Sequence, residues 1–235
     1  MALHVSNSYL TAFVDLFFPR LCKGCGVHLF ENEQEICKKC LRSLPRTGFE
    51  LIDDNPAEKI FWGRVNIEKA VSVYYYRKGE LLQQLLHKLK YRGHPLIGEE
   101  LGKTTGNILR QTGCFNNIDA LIPVPLHPKK QRIRGYNQSK HIAYGISLVS
   151  DIPLLTGNLV RTVHTSSQTT KNRFERWENV SNIFSVLYPE KLNNKHILLI
   201  DDVVTTGATL EYCARALQKS CDLKISIATI GFADH

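Results

Sequence analysis

No stretch of this 235-residue chain approaches the roughly 20 consecutive apolar residues that a membrane-spanning helix requires. The apolar run from Tyr9 to Phe18 is broken by Asp15 and has neither a basic leader nor a small-residue cleavage site. It reads as a docking helix rather than a signal peptide, and a cytoplasmic location is the expectation. Internal repeats and low-complexity tracts are also missing, so neither a solenoid nor a biased linker is indicated. Acidic residues are in the minority: 22 Asp+Glu stand against 30 Lys+Arg, a net charge of +8 with neutral histidines. That excess favours phosphorylated ligands or polyanions but does not by itself specify nucleic acid. A hydrophobic content of 43% and a charged content of 22% suit a globular chain, long enough for one good-sized core and a small appendage.

The most informative stretch is residues 196–210. The apolar run Ile197 to Ile200 predicts a strand that ends in two adjacent carboxylates, Asp201 and Asp202. After Val203 and Val204 comes a small, hydroxylated run, Thr205, Thr206, Gly207, Ala208 and Thr209, opening a predicted helix over about 207–219. Such a turn aims backbone N–H groups and the positive end of a helix dipole at a phosphate. The threonine hydroxyls add donors, and Gly207 removes a Cβ that would hold the phosphate away. The carboxylates are placed to accept hydrogen bonds from sugar hydroxyls. No lysine precedes Thr209, so a P-loop for nucleoside triphosphates is not indicated. The stretch resembles the phosphoribosyl-pyrophosphate (PRPP) motif of type I phosphoribosyltransferases.

Four of the seven cysteines form two close pairs, Cys22/Cys25 and Cys37/Cys40, in a C-x2-C-x11-C-x2-C pattern. Two thiolates two residues apart can hold one tetrahedral metal from a tight turn, with Gly24 and Gly26 expected to supply positive-φ positions. Disulfides are the alternative, and in a chain with no export signal the pattern favours metal. Zn2+ is the expected ion and iron its rival. Four cysteines complete the site, so its expected role is to fold a small domain, with His28 nearby as a substitute ligand.

Residues 1–44 read as the apolar helix and zinc finger, and 45–117 as a linking or hood region with one strand and two helices. Residues 118–235 read as an α/β domain. Strands are predicted at Ala70–Tyr76, Ala120–Val124, about 159–163, 183–187, 197–200 and Lys224–Ile230. Helices are predicted from the Leu81, Leu82, Leu85, Leu86, Leu89 spacing, from Pro95 to about Arg110, and at about 137–149. This alternation argues a parallel sheet flanked by helices, with ligands outside the carboxyl ends of its strands, where Pro125 and Asp201 fall.

Three other segments are candidates for chemistry. Pro125, Leu126 and His127 leave a strand end beside Lys129, Lys130, Arg132 and Arg134, with Gly135 turning the chain before Asn137 or Ser139 caps a helix. This is either an anion-binding loop or a solvated basic one, and its placement favours the anion. Gln168 to Val180 is a donor-rich polar stretch in which Arg173 and Arg176 can close over a pyrophosphate or pair with Glu175 and Glu178. His87 to His94 gathers basic residues around Tyr91, either as an amphipathic helix end or as a phosphate or nucleic-acid contact. Tyr136, Phe174 and Trp177 are further stacking candidates for single-stranded bases, whereas Tyr74–Tyr76 reads mostly as sheet packing.

As an ordered set, these segments resemble the ComF family of competence and DNA-uptake proteins. The pieces that carry it are Leu16-Phe-Phe-Pro-Arg-Leu-Cys-Lys-Gly-Cys-Gly with the second cysteine pair, Leu89-Lys-Tyr-Arg-Gly, Pro123-Val-Pro-Leu-His, Arg134-Gly-Tyr-Asn-Gln, Gln168 with Arg176 and Asn179, and Asp201-Asp-Val-Val-Thr-Thr-Gly-Ala-Thr. Gln131 departs from it, standing near where the family carries another arginine. The resemblance implies a type I phosphoribosyltransferase-like domain bearing an N-terminal zinc finger. Val203 and Thr205–Thr209 would hold the 5′-phosphate of PRPP, and Asp201 and Asp202 its ribose hydroxyls. Pro125, Leu126, His127, Arg132, Arg134, Asn137 and Gln138 would meet the pyrophosphate, bridged by Mg2+. Gln168, Arg173 and Arg176 would close as a lid. It implies two functions: a PRPP- or phosphate-binding protein acting with DNA-uptake machinery on single-stranded DNA, or a transferase acting on an unidentified acceptor.

Overall fold

The computed structural model describes residues 19–114, 116–162 and 183–233. Strands β1 (Lys69–Tyr76), β2 (Ala120–Pro123), β5 (Lys195–Val204) and β6 (Leu223–Ala233) form a parallel sheet in the order β1-β6-β5-β2. β3 (Leu159–Arg161) and β4 (Phe184–Val186) pair antiparallel as a separate ribbon. Ile197 to Ile200 on β5 and Ile225, Ile227, Ala228 and Ile230 on β6 are all buried, as a strand covered on both faces requires.

Seven helices are described: α1 Lys38–Ser43, α2 Pro56–Lys59, α3 Leu81–Tyr91, α4 Pro95–Gln111, α5 Pro128–Arg134, α6 Gln138–Ser150 and α7 Ala208–Ser220. In α3, Leu82, Leu85, Leu86 and Leu89 recur at helical spacing and are buried, so that stripe faces the core. The chain crosses the sheet one way between β1 and β2 and the other way between β5 and β6. Right-handed crossovers therefore put α3 and α4 on one face and α7 on the other. α6 packs on α4, β2 and β5, and α7 packs on β4, β5 and β6.

The α4–α6 contact is built on glycine. A Cβ on Gly102 would lie 2.2 Å from the Ile142 carbonyl oxygen, and one on Gly145 would lie 2.1 Å from that of Glu99. A mid-helix glycine costs about 1 kcal/mol against alanine; here it lets two helix backbones touch, which no other residue allows.

The parallel sheet flanked by helices is as expected, with three corrections. The segments expected at 159–163 and 183–187 form the antiparallel ribbon instead of joining the sheet. The strand expected to stop at Ile200 continues to Val204, because β6 offers partners as far as Val204↔Phe232. The basic stretch after Pro125 is a short helix, α5, closed by Gly135 at φ +80°. The run Tyr9–Phe18 lies outside the described residues.

Candidate functional site

Asp201 and Asp202 lie inside β5 and are buried, not at a free strand end. Asp201 Oδ1 accepts hydrogen bonds from Ser139 Oγ at 2.8 Å and from the Asp202 N–H at 2.9 Å. Lys90, near the end of α3, places its Nζ 2.8 Å from Asp202 Oδ2. Burial first, and the neighbouring Asp202 charge second, push the Asp201 carboxyl up to about 7, against the weaker pull of Ser139, the Asp202 N–H and Lys90. Burial alone would depress the Lys90 ammonium, yet its charge contact and hydrogen bond with Asp202, helped by Asp201, hold it above its ordinary value. The floor of the site is thus a buried cluster of two carboxylates and one ammonium.

Beyond Val204 the chain turns into α7. The side chains of Thr205, Thr206 and Thr209 are exposed and make no hydrogen bond to another described residue, and Val203 and Ala208 are half-buried. The first N–H groups of α7 have no acceptor within the helix. They open with the threonine hydroxyls onto one face. Gly207 has a reason beyond the one expected: it takes φ +73°, and a Cβ there would strike Ile60 Cγ2 at 2.4 Å. The turn is also held from outside. Arg64 Nη1 donates to the Thr206 carbonyl at 2.7 Å while Arg64 Nε reaches Glu211 Oε2 at 2.8 Å, and Arg215 Nη2 donates to the Arg64 carbonyl at 2.7 Å.

β2 lies beside β5 with Pro123 opposite Ile200, so the Pro125 exit and the acidic pair share one edge of the sheet. Pro125, Leu126 and His127 are half-buried. His127 Nδ1 accepts from the Lys129 N–H at 3.2 Å and caps α5. Asn137, not Ser139, caps α6, accepting from the Ser139 N–H at 3.0 Å and donating to the Val124 carbonyl at 2.9 Å. Arg134 donates to Gln138 Oε1 at 2.8 Å and stacks over Tyr91 at 5.0 Å. Arg132 is exposed. Gln168, Arg173 and Arg176 lie outside the described residues.

The four cysteine sulfurs lie within 4.8 Å of one another, with Cys22–Cys40 at 3.8 Å and Cys25–Cys37 at 3.7 Å. Disulfide sulfurs would be about 2.0 Å apart. Metal–sulfur bonds of about 2.3 Å at tetrahedral angles give sulfur pairs about 3.8 Å apart, so the set fits a tetrahedral ion. Burial pushes the Cys22 thiol up, but N–H groups of Cys37, Cys25 and Gly24 outweigh it and bring it down to about 7. Gly26 takes φ +77°, as expected; Gly24 does not take a positive φ, and is glycine because a Cβ there would lie 2.8 Å from Cys40 Sγ. His28 is exposed and stands apart from the cluster. The knuckle is bound to α4 by Glu100, whose carboxylate accepts from the N–H groups of Gln34, Glu35 and Ile36 at 3.0, 3.2 and 2.7 Å.

A phosphoribosyl transferase domain model matches residues 144–234, which include the acidic pair and the whole turn. Competence protein F of Haemophilus influenzae is 29% identical over 206 residues, 86% of this chain and 80% of that one. Competence protein ComFC of Bacillus subtilis is 28% identical over 205 residues, covering 84% and 78%. DNA utilization protein YhgH of Escherichia coli is 26% identical over 216 residues, covering 87% and 93%. The chain carries a phosphoribosyltransferase domain and is similar along most of its length to ComF-type competence proteins.

The domain match begins within α6, after the Pro125 exit and after Lys90 and Ser139. Sequence reasoning had Lys90 only as one of the basic residues gathered in His87–His94, and Ser139 only as a helix cap; the structure puts both against the carboxylates. It missed Arg64, which carries no motif signal. Four close cysteines can hold a metal ion. Among the described residues no helix is long and apolar enough to cross a membrane.

Proposed function

We propose that this protein binds PRPP, or a closely related sugar phosphate, at the Asp201–Thr209 turn, and that it acts in competence through the handling of single-stranded DNA. One observation carries the ligand reading: a buried carboxylate pair, a helix N-terminus whose threonine hydroxyls bond no other described residue and the basic β2 exit meet at the carboxyl ends of neighbouring parallel strands. In this reading the threonines and the first N–H groups of α7 take the 5′-phosphate, and Asp201 and Asp202 accept the ribose hydroxyls. Pro125–His127 and Arg132 face the pyrophosphate, and Gln168, Arg173 and Arg176 form the lid. Mg2+ suits such a site, since carboxylate and pyrophosphate oxygens are the hard donors it prefers. The thiolate knuckle is assigned to structural Zn2+.

The DNA role draws on the names of the relatives, which refer to competence and DNA utilization, and on the chain's net charge of +8. PRPP with Mg2+ is expected to raise the melting temperature by mass action, and the Asp201→Asn/Asp202→Asn variant to lose that shift. No shift at millimolar PRPP would refute the ligand. Fluorescence titration with a single-stranded oligonucleotide at two salt concentrations tests the DNA arm. Affinity should fall steeply with salt as counterions are released, and absent or salt-insensitive binding would refute it.

A second reading, transfer of the phosphoribosyl group to an acceptor, is favoured by a chamber next to Lys90 that can admit another molecule. Such transfer needs no protein nucleophile. Stabilising a cationic ribosyl centre and the departing pyrophosphate by charge and positioning suffices. Pyrophosphate release from labelled PRPP and pooled acceptors separates the two.

A further inference from the structure

A cavity of about 820 Å3, lined by Lys90 but not by its partner Asp202, lies between α3 and the cysteine knuckle. Its cationic lining is Lys23 from the knuckle and Lys88, Lys90 and Arg92 from the end of α3, joined by His87 and His94. Among the described residues no Asp or Glu lines it. Three carboxylates reach these groups from outside: Asp202 pairs with Lys90 and Asp201 acts on the same ammonium, while Glu35 lies 3.9 Å from Lys23 and 3.3 Å from His94. Four fixed positive charges against at most three negative ones leave the chamber with a surplus of at least one. Arg92 pairs with no carboxylate among the described residues. Lys88 Nζ donates to the Lys23 carbonyl, so it keeps its charge while fastening the knuckle to the wall.

The rest of the lining is aromatic and amide. Tyr76 enters from the carboxyl end of β1, and Tyr91 is 63% exposed with its ring against His87 at 4.9 Å. Gln83 and Gln84 complete the rim with groups that can both donate and accept. A positive surplus with no acidic group among the described lining residues suits a phosphomonoester, which carries about −1.5 to −2 near pH 7. Aromatic walls beside amides match a base. The size lies within the range of small-ligand sites.

We infer that this chamber is a second ligand site that takes a nucleotide carrying a terminal phosphomonoester, either free or at the end of a single strand, and not an uncharged base or nucleoside. The inference rests on the sugar-phosphate reading only for the identity of the neighbouring ligand, with whose site it shares Lys90. The knuckle then has a binding function as well as a structural one, because it supplies Lys23 and fixes Lys88.

Calorimetric titration of the full chain, saturated with PRPP and Mg2+, tests this with thymidine 5′-monophosphate, thymidine and inorganic phosphate. The monophosphate should bind at least tenfold more tightly than either fragment. Arg92→Ala, at an exposed helix end, should weaken it at least tenfold and leave the PRPP melting shift unchanged. A decathymidylate with a 5′-phosphate, compared with one ending in a hydroxyl, separates the sources. Tenfold preference for the phosphorylated strand over both its hydroxyl form and the monophosphate names the strand end, and equal binding of monophosphate and phosphorylated strand names the free nucleotide. Thymidine binding as tightly as its monophosphate, Arg92→Ala without effect, or no binding of either phosphorylated probe would each overturn the inference. Monophosphate binding in a protein that shows no PRPP shift would leave the chamber standing and remove the PRPP reading alone.

Discussion

Replacing Asp201 by Asn should make the ligand-free protein more stable while destroying its affinity for PRPP. Asp201 is 9% exposed, and its carboxyl is raised from 3.8 to about 7, chiefly by burial and then by Asp202. A group whose folded pKa is raised gives its full stabilising contribution below about pH 4 and loses it as pH climbs through about 7. Above pH 7 the native state therefore carries an ionised carboxylate at a cost. Taken whole, a shift of that size is worth about 4 kcal/mol at 1.36 kcal/mol per unit. Part of it belongs to the Asp201–Asp202 pair jointly, so about 2 kcal/mol is the expected gain. Asn keeps an oxygen to accept from Ser139 Oγ and from the Asp202 N–H. For a chain of this size, 2 kcal/mol corresponds to a melting point about 4–8 °C higher. Calorimetric melts of wild type and Asp201→Asn at pH 4.5, 6 and 8 should show the gap opening with pH. A variant no more stable than wild type at pH 8, or a gap of equal size at all three pH values, would refute the electrostatic account. The same melts with PRPP and Mg2+ should shift wild type and leave the variant unmoved.

Gly102→Ala drives a Cβ against the Ile142 carbonyl and should cost about 3 kcal/mol or more, read as a lower denaturant midpoint; a loss under about 1 kcal/mol would mean that the α4–α6 backbones do not touch. Arg64→Ala frees the Thr206 carbonyl and leaves the Glu211 carboxylate to Arg215 alone. Losing charged hydrogen bonds worth about 1–2 kcal/mol locally should speed amide exchange across Thr205–Thr209 about tenfold without comparable change in β6. Cys37→Ser, or chelation of the wild type, should remove one equivalent of bound zinc by elemental analysis and expose the knuckle to proteolysis near Gln34–Ile36; full zinc content in the variant would rule out a site made of all four cysteines.

The sequence alone settled those features whose cause is local. The order of aliphatic strand, acidic pair, hydroxylated turn and helix lies within about fifteen consecutive residues, and neighbouring bonds fix how such a run can bend. The cysteine spacing likewise converges its sulfurs through two tight turns, and the leucine spacing of α3 declares its buried face. Patterns of this kind cannot state which distant segments will meet. Lys90 reaches Asp202, and Ser139 reaches Asp201, only because α3 and α6 lie on one face of a sheet in which β2 is the neighbour of β5. Gly98, Gly102 and Gly106 look like weak points in a helix until α6 lies against them. One wall of the chamber under the knuckle was legible in the run His87–His94, but that Lys23 and Tyr76 come from separate elements to complete it only the fold decided. Tertiary structure decided the charge state of the site, because burial and the approach of opposite charges act through space; the sequence decided where along the chain a phosphate could be held.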